Sequence, residues 1–219
     1  KNLPYDIYTD FRPLSVLAYS SNLWLVPDAS PLKTLDDLVA LAKREPGKVS
    51  YGSYGAGSSS HLHAERFKRQ MGIEMVHVPY KGAAPLVTDV LGGHVTVGLA
   101  DVTTSAAHVK AGKARVLAVD GASRVAIAPD APQMKELGYE GFESNGWFGF
   151  LAPAKTPEPV VQKLSTEINR IVRLPEMAAA LEGLSLRAGG TTPDETAEIM
   201  KREGQAWEAM VRDINLTLD

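Results

Sequence analysis

Between Thr34 and Asp120 the spacing of apolar positions alternates regularly between helical and extended. In "TLDDLVALAKREPGK", Leu35, Leu38, Val39 and Ala42 share one helical face behind Thr34, a good N-cap, and Pro46-Gly47 stops the run. The strand pattern "VSYGS" follows, then a helix from Ser59 to about Met71 and the strand "EMVHVPY". A helix over Ala83 to Leu91, the strand "HVTVGLAD", a short helix from Ser105 to Lys110 and the strand "ARVLAVD" complete the series. Strands alternating with helices of this length predict βαβ units and a mostly parallel sheet.

After Gly121 the alternation breaks. A proline-containing connection, "APDAPQMKELGYEGFES", carries one short helix and leads into the strand pattern "WFGFLAP". Three helices follow, opened by Thr156-Pro157-Glu158, by Leu174-Pro175-Glu176 and by the capping box Thr192-Pro193-Asp194-Glu195. At the other end, "LSVLAYSSNLWLVPDAS" reads as two strands separated by the polar break Ser20-Ser21-Asn22. The expected organisation is an α/β ligand-binding lobe over residues 31–125, here lobe two, and a lobe one from residues 1–30 and 126–219. Lobe one has three helices but few strands to bury them on, and reads as partial.

Composition narrows the function classes. The chain has 219 residues, enough for a sizeable core, and a net charge of -3 that argues against nucleic acid or an anionic membrane as the main partner. Cysteine is absent, so disulfides, thiolate metal sites and cysteine nucleophiles are excluded. No apolar run approaches the length of a membrane span, and these residues show no signal-peptide pattern.

Ligands of open α/β sheets bind outside the carboxyl ends of the strands. Those ends here are Gly52-Ser53 with the loop "YGSYGAGSSSH", Tyr80-Lys81-Gly82, Asp101 to Thr104, and Asp120. A helix opening at Ser58, Ser59 and Ser60 leaves its first N–H groups unpaired and adds the positive end of its dipole, a combination suited to an anion. The plainer reading is helix capping and a tight turn.

Phosphate motifs fit poorly. Gly52, Gly55 and Gly57 are spaced G-x-x-G-x-G, with no acidic residue ending the next strand, and no Gly-Lys-Ser/Thr closes the loop. No G-x-S-x-G is present, and Ser60 and His61, being adjacent, do not orient as nucleophile and base. His61 and His63, two apart on a helix, face different ways and cannot share a metal. His77, between Val76 and Val78, reads as a structural histidine. Asp101 and Asp120 are either helix caps or acceptors for a ligand. Trp147 is the one tryptophan placed to meet ligand. A hydrolase using Ser53 or Ser60, and a sensor or partner-binding module without a ligand, stay open as alternatives.

The segments "KNLPYDIYTDFRPLSVLAYSSNLWLVPDAS", "YGSYGAGSSSHLHAERF", "HVPYKGAAPLVTDVLGGHV", "HVKAGKARVLAV" and "GWFGFLAPAKTPEPVVQKLSTEINR" resemble, in order and spacing, the Bug-type solute receptors of tripartite tricarboxylate transporters. The resemblance implies a two-lobed, type II-like periplasmic binding protein that closes on a small organic carboxylate like a flytrap. Such a receptor delivers its ligand to membrane permease subunits, without catalysis, cofactor or metal. The ligand-binding residues expected on this basis, together with the strand ends, are Ser53, Gly57, Ser58, Ser59, Ser60, Tyr80, Asp101 and Trp147. Hinges are expected near Val26 to Ser30 and Glu143 to Trp147.

Two departures from the family pattern stand out. Ala100 occupies the place where many members have an aspartate, with Asp101 one position later; a one-residue shift at a strand end turns a side chain to the other face. The match also begins inside the family pattern, so a usual N-terminal segment is expected to be missing. Self-association or a partner chain on lobe one is the corresponding expectation.

Overall fold

The structure is a computed structural model that describes residues 3–143 and 146–216. In chain order its elements are β1 (Phe11–Ser20), β2 (Asn22–Pro27), α1 (Leu35–Arg44), β3 (Ser50–Ser53), α2 (Ser59–Met71), β4 (Val76–Pro79), α3 (Ala83–Leu91), β5 (Val97–Asp101), α4 (Val102–Lys110) and β6 (Ala114–Val119). A short 3₁₀ turn at Lys135–Leu137 precedes β7 (Gly146–Pro153), α5 (Glu158–Val172), α6 (Pro175–Gly183), β8 (Arg187–Ala188) and α7 (Pro193–Asp213).

The chain forms two compact units. The smaller comprises residues 1–20 and 147–205, the larger residues 21–146 and 206–219. The expected boundaries at residues 30 and 126 differ from this division, for a local reason. Strand β2 reads "NLWLVP" and is buried at every position but the last, the pattern of a strand covered on both faces. It pairs with β5 and β6 and so belongs to the larger unit. Met134 and Phe142 likewise join the core around Trp24. The chain therefore passes between units at residues 20/21, not at Val26 to Ser30; the other expected hinge includes residues 144–145, which lie outside the described residues.

The larger unit is built on a five-stranded sheet in the order β4-β3-β5-β2-β6. Strand β3 runs parallel to β4 and β5, whereas β2 lies antiparallel to both β5 and β6, so the sheet is mixed rather than simply parallel. Its core gathers Trp24, Leu38, Tyr51, Phe67, Leu99, Leu117 and Phe142. The N-cap expected at Thr34 is present, and it extends to a capping box: the Asp37 N–H donates to Thr34 Oγ1 at 3.1 Å, and the Thr34 N–H donates to Asp37 at 2.9 Å. Helix α3 approaches the sheet over the paired glycines Gly52 and Gly98. A Cβ on Gly52 would sit 2.3 Å from Leu86 Cδ1, and one on Gly98 2.4 Å from Val90 Cγ2. These two glycines serve close packing, not ligand approach.

The smaller unit has a three-stranded sheet ordered β7-β1-β8, with β8 antiparallel to β1. Leu14, Ala152, Val161 and Ile168 form its core under α5. Ser15, fully buried, contacts Asn169 Oδ1 at 2.7 Å and accepts from the Thr191 N–H at 3.2 Å, tying α5 and the loop before α7 to β1. Phe148 and Phe150 of β7, and Val160, Leu164 and Ile171 of α5, are exposed.

Candidate functional site

Within the larger unit β3 and β5 are adjacent, and each is followed by a helix. Helix α2 begins after the loop that follows β3, and α4 begins at the last residue of β5. Asn22, the first residue of the antiparallel β2, pairs in register with Asp101 at that same edge. The carboxyl edge of the sheet thus collects the glycine-serine loop, Asn22, Asp101 and the two helix starts.

The loop is held by its own hydroxyls. Ser58 caps α2, accepting from the His61 N–H at 3.4 Å and donating to the Gly55 carbonyl at 2.6 Å. Ser60 Oγ accepts the Tyr54 N–H at 3.2 Å and lies 3.0 Å from Ser58 Oγ. Ser53 Oγ lies 2.7 Å from His77 Nε2. Ser53 and Ser60 are both fully buried, so these two hydroxyls shape the loop from inside. Gly57 supplies a left-handed turn (φ 76°), and its N–H donates to His61 Nδ1 at 3.0 Å.

Two histidine rings back this turn. His61 stacks on His77 with centroids 3.9 Å apart and planes 7° from parallel, and Tyr51 lies 4.9 Å beyond His77. Burial holds the His61 pKa below its ordinary value; His77 is lowered to about 4, by burial first and then by the neighbouring imidazole. Both rings are neutral at pH 7. The Tyr51 hydroxyl donates to Glu65, which also receives Lys68 Nζ at 2.6 Å.

On the other side of the α2 start lies a ring of polar groups that the sequence reading missed. The Tyr54 hydroxyl donates to Asn22 Oδ1 at 3.1 Å, and Asn22 Nδ2 donates to Ser59 Oγ at 3.3 Å. Since the Tyr54 proton is taken by Asn22, the short contact between Ser59 Oγ and the Tyr54 oxygen is a bond donated by Ser59. Burial raises the Tyr54 pKa, which keeps that hydroxyl a donor. Asn22 retains one amide hydrogen. The only sequence signal for it was the polar interruption between two apolar strands. At the first two helical positions, the N–H groups of Ser59 and Ser60 find no acceptor among the described residues. Ser59 is half-buried and within reach; Ser60 is enclosed.

The remaining expected residues separate into different roles. Asp101 caps α4, one carboxylate oxygen taking the Thr104 N–H and the other the Thr104 hydroxyl, each at 2.9 Å. Ala100 beside it is fully buried. The Tyr80 hydroxyl donates to Asp89 of α3 at 2.7 Å, and its pKa is pushed up to about 12 by burial and that carboxylate. Trp147 belongs to β7 of the smaller unit, its ring over Gly149.

Asp120 is neither a helix cap nor an open acceptor. It is fully buried, receives the Trp24 indole N–H at 2.8 Å and pairs with His63 Nδ1 at 2.6 Å, pinning α2 to β6. His61 and His63 do face different ways, as the helical spacing requires. Among the described residues no cluster of three histidine, aspartate or glutamate side chains could hold a metal. The serine in contact with an imidazole is the enclosed Ser53, and His61 spends Nδ1 on Gly57, so neither presents a nucleophile and base to a substrate.

What the edge offers is a set of neutral donors at a helix N-terminus. Such an arrangement is chemically suited to an anion, through hydrogen bonding and the helix dipole rather than a countercharge.

The chain is similar to known proteins over nearly its whole length. Residues 1–216 match the family described as the tripartite tricarboxylate transporter family receptor. The chain is 30% identical to protein BugT of Bordetella pertussis (strain Tohama I) over 217 residues, covering 99% of the chain and 67% of BugT. It resembles the solved structure of R. palustris Rpa4515 with adipate, at 31% identity and a TM-score of 0.89 over 98% of this chain and 72% of that one. For the periplasmic binding protein BugD the corresponding figures are 28%, 0.84, 96% and 71%. The chain spans 64% to 67% of the length of the curated relatives heading these matches. With its α/β periplasmic binding protein fold and a match that runs nearly end to end, this chain belongs to the tripartite tricarboxylate transporter receptor family.

Proposed function

We propose that the chain is the ligand-binding part of an extracytoplasmic, periplasmic solute receptor. In this reading it holds a small organic carboxylate at the start of α2 and passes it to the membrane permease subunits of a tripartite tricarboxylate-type transporter, without catalysing a reaction. The observation that carries the reading is the free Ser59 N–H at the positive end of α2, framed by the Asn22–Tyr54–Ser59 ring at the carboxyl edge of the sheet. The adipate found with Rpa4515 supports a dicarboxylate as the first ligand to try. The described helices include none long and apolar enough to cross a membrane.

Ser59 occupies the first helical position, where proline is well tolerated and removes only an N–H that the helix does not use. Ser58 before it is already extended (φ -70°, ψ 162°), the conformation that a following proline requires. Ser59→Pro is therefore expected to fold, and to lose more adipate affinity than Ser59→Ala, which keeps the N–H. A hydrogen bond to a charged group corresponds to about tenfold or more between the two variants in calorimetric titration. Equal affinities for the two variants would remove the amide from the site.

A further inference from the structure

The loop that presents the α2 donors is braced by two stacked imidazoles, one of which, His61, holds its bond to the loop only when uncharged. We propose that His61 and His77 are positioning residues: a stacked, neutral imidazole pair that sets the Gly57 turn, and that by protonation disorganises the anion site in mildly acidic medium. The inference rests on the receptor reading only for the identity of the ligand. The positioning itself is a property of the loop.

The geometry is specific. Gly57 donates to His61 Nδ1 at 3.0 Å, which places the imidazole hydrogen on Nε2 and leaves Nδ1 as an acceptor. A proton added to His61 goes to Nδ1, where it confronts the Gly57 N–H instead of accepting it. His77 is held on its far side by Ser53 at 2.7 Å, and Ser53 Oγ also accepts the Gly55 N–H at 3.3 Å, so both ends of the turn are tied to the pair. At a centroid separation of 3.9 Å, each ring opposes a positive charge on the other. The charged and titratable groups facing the pair are Glu65 and Lys68 on α2 and Tyr51 on β3. Glu65 favours protonation, but its carboxylate already takes Lys68 Nζ and the Tyr51 hydroxyl, and Lys68 opposes it. Neither imidazole belongs to the donor set of the anion site.

The test reads the loop and the ligand separately. In the wild-type chain, ring ¹⁵N shifts are expected to show His61 protonated at Nε2 at pH 7.5. The Gly57 amide resonance should be protected from exchange at that pH, and should shift and lose protection as the pH is lowered below 6.5. His61→Asn keeps an acceptor near the Nδ1 position without titrating; its adipate affinity at pH 5 should stay within about threefold of that at pH 7.5. His61→Phe keeps a ring for stacking but no acceptor, and should bind adipate about tenfold or more weakly at pH 7.5. A Gly57 amide unchanged down to pH 4.5 in the wild type, or His61→Phe binding as the wild type does, overturns the proposal. If His61→Phe does not fold, the wild-type titration decides alone. Should wild type fail to bind adipate at pH 7.5 while Gly57 titrates as described, the receptor reading for adipate falls and the imidazole pair stands.

Discussion

Helices α2 and α4 begin side by side, at the ends of adjacent strands, yet their N-termini are finished in opposite ways. The α4 start is capped by a carboxylate: Asp101 uses both oxygens on Thr104, so the positive end of that helix already holds an anion of the protein's own. The α2 start is capped by the neutral Ser58, and its first turn contains no acidic residue. Its Ser59 N–H has no acceptor among the described residues. On the proposed reading, the charge of a single capping residue makes one helix end a structural joint and the other a receptive site.

A second carboxylate at this edge, Asp120, sharpens the contrast, because it is wholly internal. Asp120→Ala would leave the His63 imidazole and the Trp24 indole N–H buried without their partner, at a cost of about 3–5 kcal/mol in urea unfolding. A loss under 1 kcal/mol would mean that the buried pair does not anchor α2 to β6. Next in size, Ser58→Asp would give α2 the kind of cap that α4 has. Aspartate accepts from the His61 N–H as serine does but loses the bond donated to the Gly55 carbonyl, so a lower melting temperature is expected and affinity is read well below it. Adipate affinity should fall by about 100-fold through repulsion at close range. Unchanged affinity would show that the α2 field does not hold the ligand. The smallest effect is expected from the converse change, Asp101→Ser. Removing the charge should cost α4 about 0.5–1 kcal/mol and raise adipate affinity by no more than about threefold. A large loss of affinity on this change would instead make Asp101 a ligand group.

Much of this edge was legible from residue types and spacing. Thr34 with Asp37, Ser58 before His61, and Thr192 with Glu195 all form the capping bonds that their spacing predicts. The strand ends were placed well enough to name Ser58 to Ser60 and Asp101. The role of each side chain was not legible. Ser53 and Ser60, read as ligand hydroxyls, are enclosed and brace the loop, whereas Asn22 and Tyr54 were passed over. Tyr80 turns toward Asp89, and Asp120 turns inward to His63 and Trp24.

The division follows from distance along the chain. A cap, a left-handed glycine turn or a helical face is decided by groups three or four residues apart, and such a stretch carries nearly all the information needed for it. The polar ring joins Asn22 to Tyr54 and Ser59; the imidazole stack joins residues 61 and 77; the buried pair joins residues 63 and 120. The polar ring and the buried pair depend on β2 inserting antiparallel between β5 and β6, the stack on β4 pairing with β3, and all three on α2 lying across the sheet at one register. Strand order is chosen by the burial of whole apolar faces, which a local pattern of types does not encode. The chain alone therefore determined where a site could open, and the packed sheet decided which polar groups would close it off and which would be left to bind.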